Sequence, residues 1–533
     1  REKKAKDLLS RFGKAKEKRR VYENTLQDIT NYIMSSRGDF TVSGTPGLNN
    51  NTTVYESTPT EVSNRLASIF STTLTSSSSR WFALKAQRPL VYGIQSKRWI
   101  EEVESIMLSI FNSSESNFGS QNHEVFLSLV TYGTAAMFVQ EDEKGEVRFG
   151  AIHLSEVYYL EDQYGEPDTV FRRFRFSARQ AAQAYGRENL SEKMQKALDQ
   201  DPDASFDFVH CVYPASEDDG LYSKMEYASY HIDVESQKIV KSGGFYYKPY
   251  IIPRFYKRTG ELLGRSPAWD VLSSIKNINK LKQLILQSTE LKTRPPLLVE
   301  DDGILFGRQL QVKPSAIIRG GLRNGMPAIQ GLNMGIDLAN MQALLEYEIA
   351  RIREAFFVDQ TYFKEGTPLS ATEFSARNAE KLQSLTPAIN RIVSEYLNEL
   401  IEVVFTILYY RGDFGNMPDE LKVKGFKVCD VIEYLSPLAK LQDLSLIQSG
   451  QRWLAAVAPV AQIVPGVFDS VDLTKFSASV AEAVGLPASV IRSQEEIDQI
   501  NQAKAQAEQQ AQMVQQQQQL LGQFSGNLTK PVL

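Results

Sequence analysis

Disulfide chemistry is nearly absent from this chain. Its 533 residues hold two cysteines, Cys211 and Cys429, far apart in sequence, which does not suggest a disulfide framework. That points to a reducing compartment or to indifference to disulfides. Histidine is scarce too, with His123, His153, His210 and His231 the full set. No apolar run approaches the ~20 residues that a membrane helix needs, so no membrane partner is expected. The start, Arg1-Glu2-Lys3-Lys4, lacks the apolar stretch of a secretory signal. Neither sign of charge dominates: 59 Lys and Arg stand against 64 Asp and Glu, a net charge of −5. A chain that wraps nucleic acid tightly would be basic. Internal repeats of solenoid type are also missing.

Catalytic strings are absent as well. No P-loop, dinucleotide fingerprint, HExxH or GxSxG occurs. Asp199-Gln200-Asp201-Pro202-Asp203 resembles the start of a calcium loop, but Ala204 stands where glycine is needed and His210 where the bidentate glutamate belongs. A solvated acidic turn is the better reading. His210 and Cys211 are adjacent in a strand pattern, so their side chains point to opposite faces and do not join His231 in a metal cluster. Glu300-Asp301-Asp302 reads as a solvated acidic loop. We therefore expect no metal, no cofactor and no enzyme.

What is there is length and helical period. The chain is long enough for two to four domains. Residues 2–34 read as a charged helix with a narrow apolar seam, Tyr22, Leu26, Ile29 and Ile33. Residues 35–53 read as a loop. Thr58-Pro59-Thr60-Glu61 reads as a capping box that starts a second helix. Residues 98–132 look helical. From Thr134 to Ser177 the pattern is that of strands, with a hairpin turn at Glu143-Lys144-Gly145-Glu146. Residues 178–199 return to helix and 205–258 to strands. The fold class is α+β, mainly helical.

The second half carries two long helical patterns around a broken segment, and then a third. The first runs from Ser266, a cap before Pro267, to Thr293, with Val271, Ile275, Ile278, Leu281 and Ile285 on one face and Ser273, Lys276, Lys280, Gln283, Gln287 and Glu290 opposite. A Pro- and Gly-rich stretch spans Arg294–Gly335, and Ile336–Val358 is the second pattern. The third runs from a capping box at Ser370 to Arg411, with a kink expected at Pro387 and an end at Gly412. Helices broken by prolines follow over 437–510. Residues 494–533 are Gln-rich, a helix or a disordered tail.

Lys276 and Lys280 lie on the polar stripe. Arg308, Lys313, Arg319 and Arg323 lie in the Pro/Gly-rich stretch, and Lys364 with Glu365 in the loop before Ser370. Each alone reads as an ordinary solvent face. Together, repeated once per subunit of a ring, they would line a passage with sparse charge.

Several ordered strings then resemble one family: Val54-Tyr55-Glu56-Ser57-Thr58, Arg65-Leu66-Ala67-Ser68, Arg80-Trp81-Phe82-Ala83-Leu84, Tyr132-Gly133-Thr134-Ala135-Ala136-Met137, Gly260-Glu261-Leu262-Leu263-Gly264-Arg265-Ser266-Pro267, Pro295-Pro296-Leu297, and Leu369-Ser370-Ala371-Thr372-Glu373 with Arg377. The chain resembles the portal, or head-to-tail connecting, proteins of tailed bacteriophages, particularly the short-tailed ones. The resemblance implies a homo-oligomeric ring, normally a dodecamer, at a capsid vertex of the virion, assembled in the host cytoplasm. Double-stranded DNA would pass through it without sequence recognition. The partners would be the terminase large subunit, the major capsid protein with its scaffold, and a tail adaptor.

It also implies a division of the chain. Residues 1–265 would form an N-terminal wing, 266–293 a first stem helix, 294–335 a clip and 336–358 a second stem helix. Residues 359–369 would be a tunnel loop, 370–430 a long wing helix and return, and 431–493 a crown before the Gln-rich tail of 494–533. Lys276, Lys280, Lys364, Glu365, Arg308, Lys313, Arg319 and Arg323 are then the candidates for the DNA channel. The other readings are a coiled-coil assembly scaffold, or a nucleic-acid enzyme with an unrecognised site in the α+β half.

Overall fold

The structure, a computed structural model, describes residues 2–35, 40, 54–77, 80–84, 94–142, 144–218, 222, 224–294, 297–299, 322–323, 326–327, 329–331, 337–358, 384–419, 421 and 432–434. The chain divides into two compact units, Arg1–Leu435 and Ser436–Leu533, and every described residue lies in the first. The Ser370 capping box, the loop before it, Cys429, the helices of 437–510 and the Gln-rich tail lie outside the described residues.

The charged N-terminal pattern forms α1 (Glu2–Ile33). Leu26, Ile29 and Ile33 are buried as their spacing predicts, with Tyr22 packed beside them. In α2 (Thr58–Leu74) the expected capping box does not form, because Thr58 is already helical. Its hydroxyl donates to Glu56 Oε1 at 2.7 Å, and its N–H reaches the same oxygen at 3.3 Å. A carboxylate thus takes an orphan donor at the positive end of the helix. β1 (Phe82–Leu84) follows.

The 98–132 pattern is two helices, α3 (Ile94–Asn112) and α4 (Phe118–Tyr132), parted at Asn117, whose φ is 64°. Next come β2 (Ala136–Glu141) and β3 (Val147–Ile152), joined by the expected hairpin. Asp142 Oδ1 accepts the N–H groups of Lys144 at 2.8 Å and Glu146 at 2.9 Å, and Gly145 takes φ 81°. The same Asp-x-x-Gly-Glu turn recurs between β4 (Val157–Glu161) and β5 (Pro167–Ser177). There Asp162 Oδ1 accepts from Tyr164 at 2.8 Å and Glu166 at 2.9 Å.

The 178–199 pattern is also two helices, α5 (Ala178–Tyr185), with a complete Ser177–Gln180 capping box, and α6 (Glu192–Gln200). β6 (Ser205–Pro214), β7 (Tyr227–Asp233) and β8 (Lys238–Phe245) complete a five-stranded antiparallel sheet in the order β4-β5-β6-β7-β8. β9 (Tyr250–Ile251) joins β3 and β2 in a second sheet.

Strand alternation sorts the five-stranded sheet into two faces. Val209, Cys211, Tyr230 and Ile232 meet the first half of α1 through Ala5, Leu8 and Ala15. Phe206 and Phe208 meet α5 and α6 through Ala181, Tyr185 and Met194. His210 and His231 are cross-strand partners whose rings stack at 4.0 Å. His210 is bonded to Tyr250 Oη at 2.7 Å and Ser229 Oγ at 2.9 Å, and His231 to Tyr185 Oη at 3.1 Å. Both are packing histidines. Among the described residues no group of His, Cys, Asp and Glu could hold a metal.

The 266–293 pattern breaks at Val271 into α7 (Pro267–Asp270) and α8 (Leu272–Thr293). Between α8 and α9 (Leu338–Ala355), β10 (Leu297–Val299) pairs with β13 (Ile329–Gly331), and β11 (Leu322–Arg323) with β12 (Met326–Pro327). The third long helix is described from residue 384. Its irregularity is not at Pro387 but in a π-helical turn, Val393–Leu397, that runs into α10 (Asn398–Arg411). Gly412, at φ 87°, ends it as expected, its N–H reaching Leu408 O at 3.0 Å.

α10 is buried almost all round, through Leu400, Ile401, Val403, Val404, Ile407 and Leu408. With α2, α3, α4, α7 and the smaller sheet it builds the largest core. β14 (Ile432–Tyr434) returns to pair with β1, Phe82 opposite Tyr434. No described helix is long and apolar enough to cross a membrane.

Candidate functional site

The helix pair α8–α9 is the element that the sequence singled out, and its base is set by a close backbone crossing. Gly133 caps α4 at φ 86° and lies against Gly264. A Cβ on Gly133 would sit 2.6 Å from Ser266 N, and one on Gly264 would sit 2.8 Å from Arg254 Cβ. Thr134 Oγ1 accepts the Gly264 N–H at 2.8 Å. The Ser266 hydroxyl, expected to cap the helix, instead donates to Thr131 O at 2.7 Å, and the Trp269 indole donates to Tyr132 O at 2.8 Å. Two of the strings that carried the resemblance therefore meet here, each supplying a glycine that lets the other approach.

Beside this crossing, Arg254 is almost fully buried. It forms a fork on Glu395 at 2.9 Å from both Nε and Nη2, and Nη1 reaches Glu161 at 2.5 Å and Gly165 O at 3.0 Å. Lys257 also pairs with Glu161, and Arg391 with Glu395 at 2.5 Å. Burial alone would depress the Arg254 pKa. Glu395, then Tyr159 and Glu161, more than offset it, so the pKa is raised. The node ties the β4–β5 turn to the π-helical turn that carries Glu395. Sequence reading missed it, since its members lie 93 and 141 residues apart.

α8 spans about 33 Å and α9 about 27 Å at 1.5 Å per residue. They bury a narrow seam: Ile275, Ile278 and Ile285 from α8, Leu345 and Ile352 from α9. Asp337 caps α9, accepting from Ala339 N at 3.1 Å and Asn340 N at 3.2 Å. Outside that seam the hairpin stays apolar. Leu284, Leu286 and Leu291 on α8 and Leu344 and Tyr347 on α9 are exposed, Leu286 by 50% and Tyr347 by 66%. Single exposed leucines are ordinary, but five large apolar side chains on one slender hairpin form a surface that calls for cover.

The polar stripe is less open than expected. Lys276 Nζ pairs with Asp28 Oδ2 of α1 at 2.6 Å. The segment before α2 lies along the stripe: Tyr55 N–H donates to Asn279 at 2.6 Å, Gln283 donates to Tyr55 Oη at 3.3 Å, and Lys282 meets Glu56 at 3.6 Å. Lys280 remains exposed and donates to Gln283 at 3.1 Å. Arg323 falls in β11 opposite Met326. Arg308, Lys313, Arg319, Lys364 and Glu365 lie outside the described residues. No carboxylate pair or nucleophile–base pair accompanies the lysines that are described. The arrangement can present charge and apolar surface, and shows no bond-breaking chemistry.

Comparison with known proteins identifies the family. The family model for bacteriophage head to tail connecting proteins matches residues 5–491. A protein named "Probable portal protein" from Bordetella phage BPP-1 is 24% identical over 522 residues, covering 95% of this chain and 92% of its own length. The portal protein of Salmonella phage epsilon15 is 25% identical over 521 residues, with the same coverage of each chain. That of Escherichia phage T7 is 23% identical over 398 residues, 73% of this chain and 69% of its own.

Proposed function

Since this chain belongs to the bacteriophage head to tail connecting protein family, we propose that it is the subunit of a ring at one capsid vertex. Double-stranded DNA would enter and leave the head through that ring. The observation that carries the proposal is the uncovered apolar surface of α8–α9. A closed ring buries two different flanks of each copy against its neighbours, which suits a hairpin with more apolar side chains than its own seam can take.

In this reading the passage is lined sparsely, by Lys280 from α8 and by Arg308, Lys313, Arg319, Arg323, Lys364 and Glu365 from the segments after it. Few cations on a net acidic chain suit a polyanion that must slide, because each firm phosphate contact would slow it. Lys276 contributes less, being held by Asp28. Residues 294–335, between the two helices, are where a terminase and then a tail adaptor would dock. The ring acts as a conduit, and the terminase supplies the energy.

Negative-stain images of the purified chain, alone and with capsid and scaffold proteins, test this. Rings with a central hole are expected. A uniformly monomeric protein at micromolar concentration under both conditions would overturn the reading.

A further inference from the structure

Two more surfaces are left open, and they match each other. The first lies at the end of α10. Tyr410 is 61% exposed and stacks on Tyr246 at 4.2 Å, while Tyr409 meets it edge-on at 5.7 Å. These rings stand on a rigid base: Tyr409 stacks on Phe405 at 5.9 Å, and Phe405 packs on buried Phe414 at 5.0 Å. The Trp99 indole donates to Phe414 O at 2.9 Å. Aromatic tips held this way lose little freedom when a partner covers them.

The rim of the patch is acidic. Burial, Tyr246 and then the Glu226 carboxylate disfavour ionisation of Tyr410. Asp413, Glu141 and Glu146 surround Arg411, whose guanidinium is taken up by Asp413 and the Gly145 carbonyl. Glu141, Glu146 and Glu226 are exposed.

The second surface is the outward side of α1. Its inward side is buried on the five-stranded sheet. Lys14, Lys18 and Val21 fall within an arc of about 60° at ~100° per residue, and all three are exposed, Val21 by 81%. An apolar point flanked by ammonium groups complements tyrosine faces flanked by carboxylates, through cation–π contact and charge. Both surfaces stay exposed among the described residues, so each is open to a second copy.

We propose that the Lys14–Lys18–Val21 strip of α1 docks on the Tyr246–Tyr409–Tyr410 patch of the neighbouring copy. The proposal rests on the ring reading above and names a contact that the ring would use away from α8–α9. Two different surfaces of one chain meeting head to tail is the heterologous geometry that closes rings.

The test is a cross-link in the full chain. Val21→Cys with Tyr410→Cys, oxidised with diamide, should give a ladder of covalent multimers on non-reducing gels. Both substitutions are made in a Cys429→Ser background, and that background alone, whose remaining Cys211 is buried, should not. Mixing the two single variants should give dimers and stop there. Rings in the electron microscope without a ladder would overturn this contact and leave the ring reading standing. Neither rings nor ladder would overturn both. As a second measure, Lys14→Glu with Lys18→Glu should weaken assembly about tenfold at low salt, and adding Glu226→Lys should recover part of it. Unchanged assembly in the double variant would also sink the proposal.

Discussion

The crossing at Gly133 and Gly264 and the α8–α9 hairpin lie next to each other along the chain, yet they solve opposite problems. At the crossing nearly every polar group finds a partner inside the chain, and the glycines leave no spare volume. On the hairpin, five large apolar side chains stay exposed among the described residues. On the ring reading, the contrast separates what the subunit would finish by itself from what it would leave for a neighbouring copy. A residue of the first kind should matter to folding, and one of the second kind to assembly.

The sharpest way to break that division is Gly264→Ala. Its methyl would drive into Arg254 and the Gly133 backbone, where nothing can retreat. A loss of about 3 kcal/mol or more is expected in chemical denaturation, along with poor soluble yield. Arg254→Met comes next. Leaving half-buried Glu395 and Glu161 with only Arg391 and Lys257 as cations should cost about 1–3 kcal/mol, and Arg254→Met with Glu395→Gln should recover part of it. If either single change left the unfolding midpoint in place, the crossing would not be the chain's internal anchor.

Acid offers a gentler probe of the same body. Burial pushes His231 down to about 3, with Lys241 and Arg172 adding to it, and burial with His231 pushes His210 well below its ordinary value. Both are neutral in the fold, so below about pH 6.5 the unfolded chain takes up protons first. Stability should then fall as pH drops from 6.5 towards 3, by up to about 1.4 kcal/mol per pH unit for each histidine. His231→Phe should flatten that slope in urea titrations at pH 7 and 5.5. An unchanged slope would mean that the stacked pair is not what acid attacks.

The hairpin should answer in the other way. Leu286→Glu or Tyr347→Glu should shift subunit stability by no more than about 0.5 kcal/mol while abolishing rings in the microscope. Lys280→Glu should change neither and should slow DNA packaging. A hairpin variant that unfolds the subunit would erase the distinction drawn here.

Local features were legible in the sequence. The α1 seam, the hairpin turn between β2 and β3 and the stop at Gly412 each depend on a few neighbouring residues, and each formed. The break at Val271 was hidden, because the apolar period continues across it and only one residue's backbone departs; the break before α4 spans residues 113–117, where the polar Ser-Ser-Glu-Ser-Asn run was the overlooked signal. Capping failed for other reasons: Thr58 is itself the first helical residue, and the Ser266 hydroxyl is turned towards the Thr131 carbonyl. Lys276 looked available because its partner Asp28 is 248 residues away. Leu286 and Tyr347 carried no mark at all, since a helical stripe looks the same whether it meets its own core or a neighbour.

The pairing of β1 with β14 sets a timetable. Phe82 cannot find Tyr434 until about 350 more residues have been made, and at about 5–20 residues per second that takes roughly 18–70 s. Through that interval Trp81 and Phe82, buried in the finished subunit, belong to an open strand edge, the kind of surface through which nascent chains stick to one another. The chain thus keeps one of its stickiest segments waiting for a partner strand made about 350 residues later.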